Sequence, residues 1–341
     1  MSAAPGRPEQ ARTVAGGEGT PVSELLITGA SGFIGTAVLK QLHADGRRLV
    51  LAGRSESASA LPARSRHVQL DLEVPELVLP DGIHTVLHLA GEKRDPQRME
   101  AVNHLGAARL VDAAARAGAR RFVHLSSVGV YGAAKHAGRV DETRAHQPRN
   151  AYETSKHAGE RAVRERCAAL GLACTVLQPS NVFGFVSGRN YPLLGLARMV
   201  ARGWFRHIGQ GDAWVNYVAV EDVVAALVCA LRDAAPSGVF IVNTPSPLRS
   251  LVGWMAQALG VPAPTKRLPL WLGATAAAAG AAGRGILRRD LPFSPERFLE
   301  LTNTTRYDGS AITRALGFSY PQGIEATVHA TMGSYRREGL V

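Results

Sequence analysis

Residues 25–35 read LLITGASGFIG, and this stretch decides the fold. Its apolar and β-branched start predicts a short strand, and a helix is expected after the glycines, which follow the spacing GxxGxxG. Gly29 permits a tight turn, Gly32 lets the backbone approach a pyrophosphate, and Gly35 lets the helix pack closely on the strand. The stretch therefore predicts a dinucleotide-binding turn.

The surrounding sequence extends this pattern. From Glu24 to about Gln178, short apolar runs alternate with longer amphipathic stretches, as in parallel strands joined by crossover helices. We predict an α/β fold, a Rossmann-type doubly wound parallel sheet with a smaller C-terminal substrate-binding region. Strands are predicted at Leu25–Thr28, Arg48–Ala52, Thr85–Leu89, Arg121–Ser126 and Cys174–Gln178, and helices at Phe33–Ala44, Val102–Ala117, Tyr152–Leu170, Leu193–Arg202, Glu221–Leu231 and Leu248–Leu259.

The chain divides into three expected regions. Residues 1–22 are rich in Gly, Pro, Ala and polar residues and contain no apolar run, so they predict a flexible tail. Residues 23–178 predict the dinucleotide-binding domain with the catalytic residues, and residues 179–341 mainly the substrate-binding region, with segments that return. The most apolar stretch, Leu268–Gly283, is mostly Ala and Gly, which predicts a buried or surface-lying helix and no membrane span.

The charge balance and the cysteines exclude several classes of function. The chain has 39 basic and 28 acidic residues, a net charge of +11, but its arginines are spread along the sequence without a nucleic-acid-binding motif. We expect no nucleic-acid partner. The three cysteines are too far apart for a zinc or CxxC site and are odd in number, so we expect no metal, no disulfide framework and a cytoplasmic protein.

The next predicted strand bears on the choice of cofactor. It ends at Arg54, where an acidic residue would receive the ribose 2′-hydroxyl of NAD; the guanidinium can instead pair with the 2′-phosphate of NADP. Arg54 thus favours NADP, although one charge-assisted hydrogen bond, about 1.5 to 3 kcal/mol, does not exclude NAD. Asp71, after a further short strand, is suited to accept a hydrogen bond from the adenine amino group.

Tyr152 and Lys156 form the candidate catalytic group. They lie four residues apart on a predicted helix, and therefore on one face. Lys156 and an oxidised nicotinamide are two cations that can stabilise the phenolate, which then accepts a proton from an alcohol while hydride moves to the ring. Ser127 follows a predicted strand, at the edge where substrates bind, and its hydroxyl can hold the reacting oxygen in line with Tyr152.

With these residues identified, the chain resembles an extended short-chain dehydrogenase/reductase of the NAD-dependent epimerase/dehydratase type. The resemblance covers roughly residues 24–232, with a weaker echo at Arg306-Tyr307-Asp308 and Leu316-Gly317-Phe318. The matching motifs, in family order, are residues 28–35, Asp71-Leu72, His88-Leu89-Ala90-Gly91, Asn103 with Gly106, Ser126-Ser127, Val130-Tyr131-Gly132, Tyr152 with Lys156, residues 179–184 and residues 217–223.

The resemblance implies roles for individual residues. Ser127, Tyr152 and Lys156 would be catalytic, and Asn103 would contact substrate or cofactor or else have a structural role. A homodimer packed through helices Val102–Ala117 and Tyr152–Leu170 is also implied. The implied cofactor-binding residues are Gly29, Ser31, Gly32, Phe33, Ile34, Gly35, Arg54, Asp71, Leu72, Leu89, Ala90, Gly91, Ser126, Tyr152, Lys156 and Pro179.

The choice among the reactions of this superfamily is narrowed by an acidic pair that the sequence lacks. Dehydratases of this superfamily carry an Asp-Glu pair directly after the catalytic hydroxyl, whereas this chain has Val128 and Gly129, so dehydration is disfavoured. Three alternatives remain: epimerisation or reduction of a nucleoside-diphosphate sugar, oxidation or reduction of a hydroxysteroid or other ketone, and a catalytically silent cofactor-binding regulator. The sugar alternative is favoured, and its substrate would be held by Ser127, Asn181, Arg189 and Arg206. Two features favour the steroid instead: the apolar stretch Leu268–Gly283, and Val215 at a position where sugar epimerases have a phosphate-binding arginine.

Overall fold

A seven-stranded parallel sheet forms the centre of the protein. The computed structural model describes residues 24–54, 64–132, 138–185, 191–211, 213–287 and 295–341. The order in the sheet is β11-β7-β5-β4-β1-β2-β3, and every neighbouring pair is parallel. The strands are β1 (Glu24–Thr28), β2 (Leu49–Gly53), β3 (Ser65–Gln69), β4 (Ile83–His88), β5 (Arg121–Leu125), β6 (Gly138–Val140), β7 (Ala173–Pro179), β8 (Asn181–Phe183), β9 (His207–Ile208), β10 (Trp214–Ala219), β11 (Gly238–Val242), β12 (Thr244–Pro247), β13 (Arg267–Leu268) and β14 (Thr305–Tyr307).

Helices cover both faces of this sheet, as the predicted Rossmann-type fold requires. They are α1 (Phe33–Ala44), α2 (Pro96–Met99), a π-helix (Glu100–Gly106), α3 (Ala107–Arg116), a 3₁₀ turn (Val128–Tyr131), α4 (Ala151–Leu170), α5 (Leu194–Ala201), α6 (Val220–Ala230), α7 (Leu248–Leu259), α8 (Leu270–Leu287), α9 (Pro295–Thr302), α10 (Ser310–Leu316) and α11 (Ile324–Arg337).

The alternation of side chains along the strands divides the core into two layers. On one face, Leu25 and Ile27 of β1 pack with apolar residues of α1 and α6. On the other face, Leu26 packs with apolar residues of α3 and α4. Because both faces are covered, the inner strands β4 and β5 are buried along nearly their whole length, including their polar residues.

Two strands of the sheet were not assigned in the sequence analysis. A short strand was expected before Asp71 without bounds, and it is the edge strand β3. Strand β11 lies within residues 179–341, the expected substrate-binding region, but it returns to pair with β7 at the other edge of the sheet. Helix α6 also returns and packs on the same face as α1. The remaining C-terminal elements form a third core from α5, α7 and α11.

The prediction of one α-helix over Val102–Ala117 was wrong in its detail. The helical segment begins at Pro96, where the Asp95 side chain accepts from the Gln97 amide, and it contains the π-helical turn Glu100–Gly106 before α3. Two backbone approaches occur at this turn: a Cβ on Gly106 would lie 2.7 Å from the Leu72 carbonyl oxygen, and one on Gly159 of α4 would lie 2.0 Å from the Asn103 carbonyl oxygen. The irregular turn therefore packs tightly against α4.

Candidate active site

The glycine turn after β1 is built as a cradle for a dinucleotide. Gly29 has a φ of +73°, and a Cβ there would lie 2.6 Å from the Ala90 amide nitrogen, so only glycine fits. A Cβ on Gly35 would lie 2.2 Å from the Gly29 carbonyl oxygen. The absence of a side chain at Gly35 therefore allows α1 to begin directly against the turn. Gly32 is the N-cap of α1, and no side chain caps it, so the helix N-terminus is suited to a phosphate.

A cavity of about 400 Å³ opens in front of this turn at the carboxyl ends of β1, β2 and β4. It contains most of the predicted cofactor-binding residues; of the others, Phe33, Ile34 and Gly35 form the first turn of α1, and Tyr152 and Lys156 lie on α4. The predicted residues that line the cavity are Gly29, Ser31, Gly32, Arg54, Asp71, Leu72, Leu89, Ala90 and Gly91. The shape and the uncapped helix fit NAD or NADP, which these residues would hold.

Arg54 shares its end of the cavity with an ion-pair cluster that the sequence did not reveal. The Arg98 guanidinium donates to the Glu73 carboxylate and lies 3.7 Å from Glu92, and both Arg98 and Glu92 line the cavity. The hydrogen bonds from Arg98 lower the pKa of Glu73, and the charge of Arg54 lowers it further. A phosphate beside Arg54 would thus compete with Glu73. Arg98 could not be found from a local motif because it reaches the cavity from a different element.

The predicted catalytic residues meet at the carboxyl end of β5. Helix α4 begins at Ala151, where the Asn150 side chain accepts from the Glu153 amide, and this cap fixes Tyr152 in the first turn. The hydroxyl-bearing residues Tyr152 and Ser127 line the same cavity, and the Ser127 oxygen accepts from the Gly129 amide at 3.1 Å. Burial raises the pKa of Tyr152 above its ordinary value, and the Ser127 side chain opposes that increase.

Lys156 is buried beneath this pair, one turn along α4. Its Nζ donates to the Leu125 carbonyl oxygen at 2.7 Å, and burial lowers its pKa from 10.5 to about 8, against the opposing attraction of Glu160. The side chain of Glu160 is fully buried, and its Oε2 accepts from Ser126 at 2.7 Å and from Gln178 at 2.8 Å. The carboxylate thus supplies a negative charge behind the ammonium group.

Two buried histidines surround the same ammonium group. The rings of His88 and His124 stack with their centroids 5.2 Å apart, and His88 Nδ1 lies 2.7 Å from the Thr28 hydroxyl oxygen. Burial lowers the pKa of His88 to about 3, with a further lowering by the Lys156 charge, and the pKa of His124 is also well below its ordinary value. Both rings are therefore neutral near pH 7, and Lys156 has no cationic neighbour in this pair.

A second cavity, of about 820 Å³, lies beside Ser127 and Tyr152, between the 3₁₀ turn, the start of α4, β10 and α9. Of the predicted substrate-binding residues, Ser127 and Asn181 line it, and so does Val215. Arg206 does not line it; its Nη1 donates to the carbonyl oxygens of Gly203 and Phe205. Arg189 lies outside the described residues.

The second cavity contains further residues that the sequence analysis did not assign to a site. Arg149 contributes a guanidinium-bearing side chain to the lining. Tyr307 also lines the cavity; it is almost fully buried, and its hydroxyl has no hydrogen-bond partner among the described residues. Tyr307 belongs to Arg306-Tyr307-Asp308, which weakly matches the family pattern, and this match was the sequence signal that could have identified it. Asn150, Asn216 and Asn303 add amides to the same lining.

Three other predicted residues lie inside the protein, and two of them, Asn103 and Ser126, have their polar groups engaged there. Asn103 accepts from the Glu92 amide and donates to the Glu92 carbonyl oxygen and the Ser155 hydroxyl, at 2.7, 2.7 and 3.0 Å. These bonds favour the structural role that was one of the two alternatives for Asn103. Ser126 donates to Glu160, and Pro179 is buried at the end of β7. Neither Ser126 nor Pro179 lines one of the two cavities.

The described residues contain no cluster of three or more potential metal-ligating His, Cys, Asp or Glu side chains. Over the same part of the chain, every helix is too short or too polar to span a membrane.

Comparisons with known proteins identify the family to which the sequence is similar. The sequence model of the NAD dependent epimerase/dehydratase family matches residues 25–242. The chain is 27% identical over 318 residues to the N-acetyl-alpha-D-glucosaminyl-diphospho-ditrans,octacis-undecaprenol 4-epimerase of Escherichia coli O157:H7, covering 89% of this chain and 94% of that protein. It is 31% identical over 263 residues to the UDP-glucose 4-epimerase of Mycolicibacterium smegmatis, covering 70% of this chain and 83% of that protein.

A solved structure, the UDP-glucose 4-epimerase of Thermotoga maritima with UDP-glucose, is similar in fold. It matches with a TM-score of 0.69 at 20% identity, and the match covers 92% of this chain and 99% of that one.

Proposed function

Because the chain belongs to the NAD dependent epimerase/dehydratase family, we propose that it epimerises a sugar carried on a diphosphate, through Ser127, Tyr152 and Lys156. The observation that carries this proposal is the second cavity, in which the hydroxyl-bearing residues Ser127 and Tyr152 share the lining with Arg149, Asn150 and Asn181. Such a cavity suits a sugar that is oxidised at one carbon and reduced again from the other side.

Proton transfer is the task of the Tyr152 phenol. A substrate hydroxyl that enters the second cavity can bind between Ser127 and Tyr152, with Ser127 holding the oxygen and Tyr152 taking the proton. Burial opposes formation of the phenolate, so positive charge must offset it. Lys156 supplies one cation from the same helix. When bound, oxidised NAD supplies the hydride acceptor and a second positive charge.

Dehydration remains disfavoured. Val128 and Gly129 bring no acid or base to the positions after Ser127. Glu153 lines the cavity, but its Oε2 accepts from the Arg149 amide at 2.8 Å, while its own amide donates to the Asn150 cap. This reciprocal capping engages the Glu153 carboxylate at the helix start.

The cavity lining favours a sugar over a steroid. Asn150, Asn181 and Asn303 offer amides to hydroxyls and phosphates, and Arg149 offers the positive charge that Val215 does not. Of the apolar stretch expected to favour a steroid, Leu270, Trp271 and Leu272 are exposed to solvent, and none of the three lines this cavity. We therefore assign the diphosphate to the side of the cavity that contains Asn181 and Arg149.

Two sugar carriers fit this chemistry. One relative is named for UDP-glucose and another for a sugar on diphospho-undecaprenol, and a diphosphate is common to both. We propose a nucleoside-diphosphate sugar as the substrate. Arg54 favours NADP within the dinucleotide site, although Glu73 competes for its charge. A homodimer through the π-helix, α3 and α4 also belongs to the proposal and follows from the family resemblance, and a cytoplasmic location follows from the cysteine content.

The decisive experiment is turnover of UDP-glucose and UDP-N-acetylglucosamine by the purified full-length protein with NAD or NADP, with the 4-epimers detected by NMR. Asn181→Ala should raise KM for the sugar severalfold, as expected for about 1 to 3 kcal/mol of lost bonding to a charged group, while KM for the cofactor stays unchanged. Turnover of hydroxysteroids alone would support the steroid alternative. Tight cofactor binding without turnover of sugars, steroids or a carbonyl panel would indicate a regulator.

A further inference from the structure

We propose that the segment from β13 into α8 is a docking surface for an anionic phospholipid bilayer. The surface, called here the apolar patch, consists of Leu268, Leu270, Trp271 and Leu272. These side chains are 38%, 55%, 66% and 39% exposed, in a chain segment whose residues 265–272 are all exposed. Large exposed apolar groups next to each other mark contact surfaces, and Trp and Leu are typical of the membrane interface.

The fold fixes these side chains outward. Strand β13 pairs in parallel with β9, and the α8 residue Gly273 packs inward, since a Cβ there would lie 3.0 Å from Ile208 and 3.1 Å from Phe298. The inner side of this segment is thus in contact with the protein, and Leu270 to Leu272 remain outside. Trp204, 63% exposed, precedes β9 in the chain and is a second exposed aromatic ring in this region.

Charge complementarity selects the occupant. Residues 166–211 contain five basic and no acidic residues, and residues 234–289 contain six basic and no acidic residues. These two segments include β9, β13 and α8. Lys266 and Arg267 are exposed directly before the apolar patch, and the Arg202 guanidinium lies 5.1 Å from the centre of the Trp204 ring. Basic residues around exposed Trp and Leu match an anionic lipid surface.

The apolar patch is close in structure to the substrate cavity without belonging to it. Helix α8 packs on α9 through Gly273 and Phe298, and Leu299, Glu300 and Thr302 of α9 line the second cavity. A bilayer contact at the patch would therefore hold that cavity near the lipid surface.

Vesicle co-sedimentation of the full-length protein tests the proposal. We expect binding to phosphatidylglycerol–phosphatidylcholine vesicles, and binding that is at least about tenfold weaker to vesicles of phosphatidylcholine alone. The double variant Leu270→Ser/Trp271→Ser and the double variant Lys266→Glu/Arg267→Glu should each weaken binding to the anionic vesicles at least about tenfold. Val78→Ser, at a 75% exposed site of the Rossmann half, is the matched control and should bind normally. Unchanged melting temperatures would establish that the variants fold.

Two results would overturn the proposal. Absence of binding to anionic vesicles is one, and binding that the patch variants leave unchanged is the other. If the patch variants instead convert a dimer to a monomer in light scattering without a vesicle effect, the occupant is a second copy of the chain. Vesicle binding needs neither cofactor nor substrate, so its failure is distinguishable from failure of the proposed epimerase activity.

Discussion

Replacing Lys156 with methionine should make the protein more stable near pH 7 while abolishing its function. The ammonium group is buried, and its pKa falls from 10.5 to about 8. That difference corresponds to about 3 kcal/mol of destabilisation of the charged form in the folded state. The value already includes the attraction of Glu160. Methionine keeps much of the apolar volume and removes the charge.

The net gain is smaller than this, because the Leu125 carbonyl oxygen loses the hydrogen bond from Nζ. A lost partner in a buried site costs about 1 to 2 kcal/mol, so Lys156→Met should stabilise the fold by about 1 to 2 kcal/mol at pH 7. Its affinity for NAD should nevertheless fall, since the family resemblance also places Lys156 among the cofactor-binding residues.

The pH dependence separates this explanation from general repacking. Because the pKa of the folded state is the lower one, the penalty is fully present below about pH 8, where Lys156 is protonated in both states. It disappears as the pH rises to 10.5, so the stability advantage of Lys156→Met should shrink from pH 7 to pH 10. Thermal unfolding at both pH values, with and without NAD, measures it.

A matched control is Lys40→Met, at an exposed position of α1, which should change stability little at either pH. If Lys156→Met is less stable than the parent at pH 7, or if its stability difference is the same at pH 7 and pH 10, the assigned burial penalty is wrong.

Three other substitutions test the remaining parts of the site. Tyr152→Phe should lower kcat by about 10² to 10⁴ and leave the melting temperature unchanged, and near-normal turnover would reject the proton-transfer role. Arg54→Asp should shift the ratio of NADP to NAD affinity by at least about tenfold toward NAD, whereas the exposed control Arg47→Asp should not; equal shifts would make Arg54 an ordinary surface charge. Gly29→Ala should destabilise the protein by at least about 2 kcal/mol more than Gly46→Ala, because both glycines have φ near +70° but only a Cβ at Gly29 meets backbone within 3 Å. Similar losses in the two variants, measured by urea unfolding, would assign the whole effect to φ.

Local sequence was sufficient for the nucleotide half of the fold. The strand, glycines and helix of residues 25–35, and the alternating apolar runs after them, predicted the parallel sheet because each depends on contacts within a few residues or on burial of both sheet faces. The spacing of Tyr152 and Lys156 likewise predicted one helical face, since i and i+4 are neighbours on any α-helix.

Tertiary structure alone decided what surrounds those residues. The return of β11 to the sheet, the presence of Arg54 and Arg98 in one cavity, and the bonds of Glu160 to Ser126 and Gln178 join elements that are far apart in the chain. The same holds for Tyr307, which lines the second cavity together with Ser127. No local periodicity encodes such neighbours, because they are fixed by how whole elements pack. The substrate cavity and the exposed side of α8 belong to this second group. For the same reason, the sequence did not assign Arg149 or Tyr307 to the substrate site, although both line the second cavity.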